Sequence, residues 1–252
     1  MTTAHTVTPE DAPVVLVTGA ALRIGAAISE AAHAAGWRVV LHCRRSRAQA
    51  DALAARLNDE RPESAVVCVA DLLEADAPVR LAAQARGCWG RLDALVNNAS
   101  SYFRTPLSSV TPAQFEDLIG SNLRAPLFLA QACAAFEELQ AIINILDVHA
   151  RRPRAGFAPY LAAKAGLWTL TEALALELAP RVRVNGVAPG HMIWAVQSAL
   201  SADEQAAEAA RIPLQRLGGA VEIARAVAFL LSRESAYMTG AVLPVDGGLR
   251  IS

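Results

Sequence analysis

Short apolar runs alternate with longer stretches of helical periodicity from residue 14 to the end of the chain. Seven runs have the length and composition of buried strands, at residues 14–17, 39–42, 65–69, 92–96, 142–146, 182–187 and 242–245. Helical patterns cover residues 24–35, 48–57, 75–85, 159–178 and 222–231, a short stretch at 203–210, and 112–139, which holds one long helix. Continuous apolar strands that alternate with helices are typical of a parallel sheet covered on both faces. The pattern predicts an α/β fold, a single Rossmann-type doubly wound parallel sheet of about seven strands with helices on both faces.

Length and composition favour one domain over residues 1–252, with residues 1–12 expected to be flexible and 190–213 expected to form a substrate loop. The hydrophobic share of 54% and the charged share of 19% exclude a disordered chain. A net charge of -1 argues against a nucleic-acid partner. The chain has no apolar run long enough to span a bilayer and a polar start without an apolar block, so we expect a cytoplasmic protein without membrane contact. The cysteine and histidine spacings predict no metal site.

The turn after the first strand has the features of a phosphate-binding loop. It reads Thr18-Gly19-Ala20-Ala21-Leu22-Arg23-Ile24-Gly25 and opens a helix. Gly19 permits a tight turn, Gly25 permits close helix packing, and the helix N-terminus then faces a pyrophosphate. An ordinary strand-to-helix turn remains the alternative.

The end of the second strand indicates which dinucleotide is preferred. A carboxylate there would bind the ribose hydroxyls of NAD, but the sequence has Arg44, Arg45 and Ser46 instead. Guanidinium groups and a hydroxyl suit the 2′-phosphate of NADP, although a solvated basic helix start is also possible. Asp71, after the third strand, is placed to meet the adenine.

Tyr160 and Lys164 are four residues apart in one predicted helix, so their side chains share a face. Lys164 is the single lysine of the chain, and lysine and arginine are not interchangeable. A neighbouring ammonium stabilises a phenolate and brings its pKa down from the usual ~10. We therefore expect a proton-transfer pair, with Asp147 at the end of the fifth strand, thirteen residues before Tyr160.

These features belong to a longer ordered set. It comprises the Gly-rich turn, Asn97-Asn98-Ala99, Asn122, Tyr160-x-x-x-Lys164, NGVAPG at 185–190 and VDGG at 245–248. In this order and spacing, they resemble the short-chain dehydrogenase/reductase family over nearly the whole chain.

Four features narrow the resemblance. Arg23 replaces the middle glycine of the turn, Asp147 replaces the usual serine, an Arg-Arg-Ser group follows the second strand, and Ser100-Ser101-Tyr102 follows Asn98-Ala99. These resemble the pteridine reductase branch, which includes bacterial dihydromonapterin reductases. A carboxylate at position 147 would repel the alkoxide formed from a ketone, whereas a carbon–nitrogen double bond needs a proton at nitrogen. Tyr102 offers a flat ring on which a pterin could stack.

The resemblance implies NADPH-dependent reduction of a dihydropterin (dihydromonapterin, dihydrobiopterin or dihydrofolate) to its tetrahydro form by a homotetramer. Implied catalytic residues are Asp147, Tyr160, Lys164 and Asn122, the last through a water network at Lys164. Expected contacts to NADPH or NADP+ come from Gly19, Arg23, Ile24, Gly25, Arg44, Arg45, Ser46, Asp71, Leu72, Asn98, Ala99, Ser100, Tyr160, Lys164, Pro189 and Gly190. Expected substrate contacts come from Arg23, Ser100, Tyr102, Asp147, Tyr160 and Trp194.

Two other functions stay open at this stage. A generic NADPH-dependent carbonyl reductase, for example of a keto ester, would share the fold and the cofactor. A non-catalytic NADP(H)-binding sensor would share the fold but need no proton donor. The basic residues after Asp147, namely His149, Arg151, Arg152 and Arg154, either form a solvated loop or attract an anionic substrate tail.

Overall fold

The computed structural model describes residues 12–192 and 201–252. Its seven strands are β1 (Val14–Val17), β2 (Arg38–Cys43), β3 (Ala65–Val69), β4 (Ala94–Asn97), β5 (Ala141–Ile145), β6 (Arg183–Pro189) and β7 (Val242–Val245). Its helices are α1 (Arg23–Ala34), α2 (Arg47–Glu60), α3 (Ala77–Gly87), α4 (Pro112–Ile119), α5 (Ala125–Ala134), α6 (Ala158–Leu178), α7 (Ala202–Ala210) and α8 (Ala220–Leu231).

All strand pairs are parallel, and the sheet order is β3-β2-β1-β4-β5-β6-β7. The predicted doubly wound fold is therefore confirmed. The order reverses between β1 and β4, and ligands of such sheets bind outside the carboxyl ends of the strands at that point.

The alternation of side chains along β1 shows how the sheet is covered. Val15 and Val17 pack in a cluster with α1, α2 and α8. Val14 and Leu16 point to the opposite face and pack with α3, α5 and α6. Both faces of the strand are fully buried, which explains why it has no polar positions.

The prediction of one long helix over residues 112–139 is wrong in detail. It is divided into α4 and α5 by a π-helical turn at Gly120–Arg124, and α5 ends at Ala134. Pro126 has no N–H to offer the preceding turn, and the Asn122 side chain donates to the Leu118 carbonyl at 3.0 Å. The guanidinium of Arg181 donates to the Ala134 carbonyl at 2.6 Å, so this carbonyl at the end of α5 has a hydrogen-bond partner.

The other predicted elements are present with ends shifted by at most three residues. Within the described ranges, no helix is long and apolar enough to cross a membrane.

Candidate active site

Asp147 and Tyr160 form the centre of the site. Asp147 follows β5 and caps the short 3-10 turn Val148–Ala150, because its Oδ1 accepts the His149 N–H at 2.8 Å. Its Oδ2 accepts the phenolic hydrogen of Tyr160 at 2.9 Å. Tyr160 lies in the first turn of α6 and is only 6% exposed. The two predicted residues thus meet as a hydrogen-bonded donor and acceptor.

Lys164 lies one turn further along α6 and is buried. Its Nζ donates to the Ile145 carbonyl at 2.8 Å and lies 5.8 Å from the centre of the Tyr160 ring. Burial lowers the pKa of Lys164 to about 8, against the opposing attraction of Asp147. An ammonium with this pKa can exchange protons close to neutral pH.

The expected effect of Lys164 on the phenol is not what the structure shows. Burial first, and then the Asp147 carboxylate, raise the pKa of Tyr160 well above its usual value. The physical reason is that the carboxylate accepts the phenolic hydrogen and so favours the neutral phenol, while Lys164 directs its hydrogen bond to Ile145. Tyr160 is therefore held in its protonated form.

Tyr102 brings an aromatic surface to the same place. Its ring stacks on Phe157, with centroids 5.1 Å apart and planes 9° apart, and meets the Tyr160 ring edge-on at 4.9 Å. One face of Tyr102 is thus covered by Phe157, and the side chain remains 47% exposed. The sequence analysis does not identify Phe157 as a site residue. Its position at the start of α6, close to Tyr160, is the signal that could have indicated it.

Asn122 lies in the π-helical turn and is fully buried. Its Oδ1 accepts from Ser100 Oγ at 2.6 Å, and its Nδ2 donates to the Ser101 carbonyl at 2.9 Å. The side chain therefore fixes the loop that leads to Tyr102. These contacts give Asn122 a positioning role, and the implied water network at Lys164 stays a prediction.

The Gly-rich turn after β1 is hydrogen-bonded to the residues that follow β4. Thr18 Oγ1 accepts from the Asn98 and Ala99 amides at 2.9 Å each, and Asn98 Nδ2 donates to the carbonyls of Thr18 and Gly19. A Cβ on Gly25 would lie 2.0 Å from the Gly19 carbonyl oxygen, so only glycine fits there. The predicted cofactor residues of these two segments are thus side by side.

Arg23 opens α1 with a left-handed backbone, at φ +54°. A residue with a Cβ pays about 1 kcal/mol or more in that region, and such strain persists only where the surroundings hold it. Leu22 precedes it and supplies no side-chain cap. The first amides of α1, including those of Ile24 and Gly25, can therefore bind a phosphate, which fits a dinucleotide cofactor.

His42 is a further functional candidate that sequence reasoning missed. Its Nδ1 accepts from the Gly19 amide at 3.3 Å, so its Nε2 carries the hydrogen and donates to the Ala70 carbonyl at 3.1 Å. Burial lowers the pKa of His42, which keeps this neutral tautomer. A polar residue inside the otherwise apolar run of β2 was the signal. The ring connects the Gly-rich turn to the end of β3.

The predicted 2′-phosphate group lies at the end of β2. Arg44 and Arg45 are exposed there, and Ser46 begins α2 without a side-chain cap bond. Arg44 Nη2 is 2.8 Å from Asp71 Oδ2, and Asp71 Oδ1 accepts from the Leu73 amide. The Asp71 carboxylate thus orients Arg44. Leu72 beside it is buried.

The carboxyl end of β6 closes the other side of the site. Pro189 ends the strand, and the Gly190 amide donates to the Val245 carbonyl at 3.0 Å. A Cβ on Gly190 would lie 2.7 Å from Asp246. The structure describes the predicted 190–213 loop only in part, and Trp194 lies outside the described residues.

Parallel strands, a glycine-rich turn at the switch point and a Tyr-x-x-x-Lys pair define a nicotinamide-dependent oxidoreductase. Residues 19–250 match the family model described as enoyl-(acyl carrier protein) reductase. The chain belongs to the short-chain dehydrogenase/reductase family, as the sequence motifs implied.

Named relatives differ in their reactions. Pteridine reductase 1 of Leishmania tarentolae is 40% identical over 97% of this chain and 99% of its own length. L-xylulose reductase of Bos taurus is 38% identical over 92% and 94%, respectively. The 3-oxoacyl-(acyl-carrier-protein) reductase of Escherichia coli K12 is 36% identical over 94% and 96%. Membership of the family therefore does not by itself fix the substrate.

Proposed function

We propose that this protein is an NADPH-dependent pteridine reductase that converts a dihydropterin to its tetrahydro form. The observation that carries the proposal is the hydrogen bond from Tyr160 to the carboxylate of Asp147. A carboxylate beside the proton donor opposes formation of an alkoxide from a ketone. It is compatible with protonation of a ring nitrogen, which produces no oxyanion.

Bound NADPH would supply the hydride to the ring carbon of the carbon–nitrogen double bond. Tyr160 holds the proton that the adjacent nitrogen requires, and its raised pKa keeps that proton in place until a stronger base forms. Once Tyr160 has given up its proton, a proton taken up from solvent would return to the phenolate through Asp147, whose Oδ2 contacts Tyr160 Oη. The buried ammonium of Lys164, 5.8 Å from the centre of the Tyr160 ring, would offset the negative charge of the transient phenolate.

Arg44, Arg45 and Ser46 support NADPH as the cofactor. A guanidinium pair beside a hydroxyl can bind a phosphate by charge-assisted hydrogen bonds. The nearby carboxylate of Asp71 has both oxygens engaged, with Arg44 and with the Leu73 amide. Arg23 and Tyr102 would hold the heterocycle, and the exposed part of Tyr102 is available for it.

A carbonyl reductase is the second candidate, because relatives named for carbonyl substrates reach 38% identity. The experiment compares loss of NADPH absorbance with dihydromonapterin, dihydrobiopterin, dihydrofolate and a keto ester. Each is measured with the wild type and Asp147→Ser, and NADH is tested in parallel. Turnover of a dihydropterin that is lost in Asp147→Ser is expected. Turnover of the keto ester alone, kept or raised in the variant, would overturn the proposal.

A further inference from the structure

A basic cleft lies beside Asp147 and takes no part in the chemistry proposed so far. It is a cavity of about 340 Å³ whose basic lining residues are His149, Arg152, Arg154, His191 and Arg211. These residues come from three places in the chain, namely the loop after β5, the end of β6 and the end of α7. Their convergence is therefore a product of the fold, and the loop sequence alone gives only part of it.

The cleft has an excess of positive charge. Three guanidinium groups line it, and the Glu208 carboxylate contacts one of them. Glu208 Oε2 lies 2.6 Å from His191 Nδ1, and its Oε1 lies 3.5 Å from Arg211. Among the described side chains of the cleft, the guanidinium groups outnumber this carboxylate, so the cleft attracts an anion.

Two histidines also line the cleft. His149 Nδ1 faces the Arg152 carbonyl at 3.2 Å, and the two Nε2 atoms are 3.1 Å apart. His191 Nδ1 faces the Glu208 carboxylate.

Arg154 also contacts this pair. Its Nη1 lies 3.0 Å from His191 Nε2 and can only donate to it, so His191 Nε2 is the acceptor. Burial lowers the pKa of His191, which favours its neutral form. The positive charge of the cleft therefore comes from its three arginines.

The cleft is directly connected to the proton donor. The His149 amide donates to Asp147 Oδ1, and Asp147 Oδ2 accepts from Tyr160. Arg154 extends from the cleft to the aromatic surface, where its guanidinium carbon lies 5.9 Å from the centre of the Phe157 ring. A ligand that reacts at Tyr160 and stacks at Tyr102 therefore has the cleft next to it.

The structure of a dihydropterin explains how a cleft next to Tyr160 would contact the substrate. In a 7,8-dihydropterin, the double bond to be reduced joins N5 to C6, and C6 also carries the side chain. The side chain, or tail, is therefore attached to the carbon that receives the hydride, and it begins close to Asp147 and Tyr160. We propose that the basic cleft binds an anionic group, carboxylate or phosphate, at the end of the C6 tail of the substrate.

This inference rests on the proposed function and adds a selectivity to it. Arg152, Arg154 and Arg211 would contact the anion, each by a charge-assisted hydrogen bond. Arg151 provides a matched control, because its guanidinium carbon lies 4.7 Å from the Trp168 ring centre and its Nη2 lies 3.8 Å from Glu172. It has the same charge in the same loop but is engaged elsewhere.

The test compares dihydrobiopterin, whose tail is uncharged, with dihydrofolate, which ends in carboxylates, and with dihydroneopterin monophosphate. The double variant Arg152→Gln/Arg154→Gln and the single variant Arg211→Gln are measured beside Arg151→Gln. Losing one charge-assisted contact corresponds to roughly a tenfold drop in kcat/KM for an anionic substrate. The value for dihydrobiopterin should stay the same, and Arg151→Gln should behave as wild type. The two anionic substrates show whether a carboxylate or a phosphate is preferred.

Equilibrium binding separates the two proposals. Dihydrofolate binding, followed by quenching of tryptophan fluorescence, should weaken in the double variant and with added salt. Binding of this kind without turnover of any dihydropterin would retain the cleft and reject the reductase. Equal effects on charged and uncharged substrates, or no effect on either, would reject the cleft. An altered oligomeric state with unchanged selectivity would instead make the cleft a contact between copies of the chain and overturn the inference.

Discussion

Tyr160 donates its phenolic hydrogen to Oδ2 of Asp147 across 2.9 Å, and this contact adds to burial in keeping the phenol protonated. Burial of the ring and the carboxylate both favour the neutral phenol. A site of this kind holds tyrosine as the protonated phenol rather than as the phenolate. That property suits a reaction in which a nitrogen becomes strongly basic only after hydride has arrived.

Replacing Asp147 with asparagine should therefore change both the titration and the turnover. Without the carboxylate charge, the pKa of Tyr160 should fall toward its ordinary value, because the negative charge that opposes ionisation of the phenol is gone. Turnover of a dihydropterin should fall by about a hundredfold or more, the usual contribution of a general acid. The phenolate absorbance titration and the pH profile of kcat measure these effects.

The control for this variant is Asp59→Asn, which removes a carboxylate from the exposed side of α2. It should leave both the titration and the turnover unchanged. An Asp147→Asn enzyme with the wild-type tyrosine titration would show that burial alone holds the proton on Tyr160.

The cofactor preference is open to a direct test at the end of β2. The double variant Arg44→Ala/Arg45→Ala should weaken NADPH binding by about ten- to a hundredfold, as expected for lost charge-assisted contacts to a phosphate. NADH binding should change little, because NADH lacks that phosphate. Arg47→Ala is the control, since Arg47 pairs with Asp51 on the surface at 2.7 Å. Equal losses for both cofactors would contradict the assignment of the 2′-phosphate.

The Gly-rich turn predicts a steric effect. A methyl group at Gly25 would meet the Gly19 carbonyl and the Asn98 side chain at 2.0 and 2.7 Å. Gly25→Ala must therefore displace the turn from β4, at a cost of about 1–3 kcal/mol. Both the melting temperature and NADPH affinity should fall. Gly87→Ala, where nothing lies within 4 Å, should stabilise α3 slightly and leave NADPH binding as it is.

The fold could be predicted from the sequence because the pattern that indicates each strand or helix lies within that element. Each strand of the sheet contains a short apolar run, and the residues after β1, β4 and β5 necessarily reach one edge of a parallel sheet. Tyr160 and Lys164 were predictable as neighbours because four residues make about one helical turn. The interruption at Asn122 was harder, since it depends on a side chain that competes for a helix carbonyl.

The relationships that decide the chemistry are contacts over long sequence separations. Phe157 covers one face of Tyr102, and His42 joins the turn at Gly19 to the end of β3. The pKa of Tyr160 could not be predicted from its neighbours in the helix, because burial and Asp147 outweigh Lys164. Sequence reasoning identified most of these residues, but only the structure shows which contacts dominate.

Lys164 should destabilise the fold at neutral pH while serving the reaction. Its folded-state pKa of about 8 lies below the ordinary lysine value of 10.5, so burial of the charged form costs roughly 3 kcal/mol when both folded and unfolded states are protonated. The hydrogen bond to Ile145 offsets about 1 kcal/mol of that cost. Lys164→Met should thus raise the free energy of unfolding by about 2 kcal/mol near pH 7 and abolish turnover.

The sign of the pH dependence provides a stricter check. Between about pH 8 and 10.5 the unfolded chain binds more protons at Lys164 than the folded chain does, so wild-type stability gains from this group as pH rises. Above that window both states are neutral and the burial cost has disappeared. The advantage of Lys164→Met over wild type should therefore shrink steadily across the window and reverse at its upper end, where the variant still lacks the bond to Ile145. Denaturant unfolding of both proteins at a series of pH values measures it. A difference that stays constant with pH would mean that Lys164 titrates alike in the folded and unfolded chains.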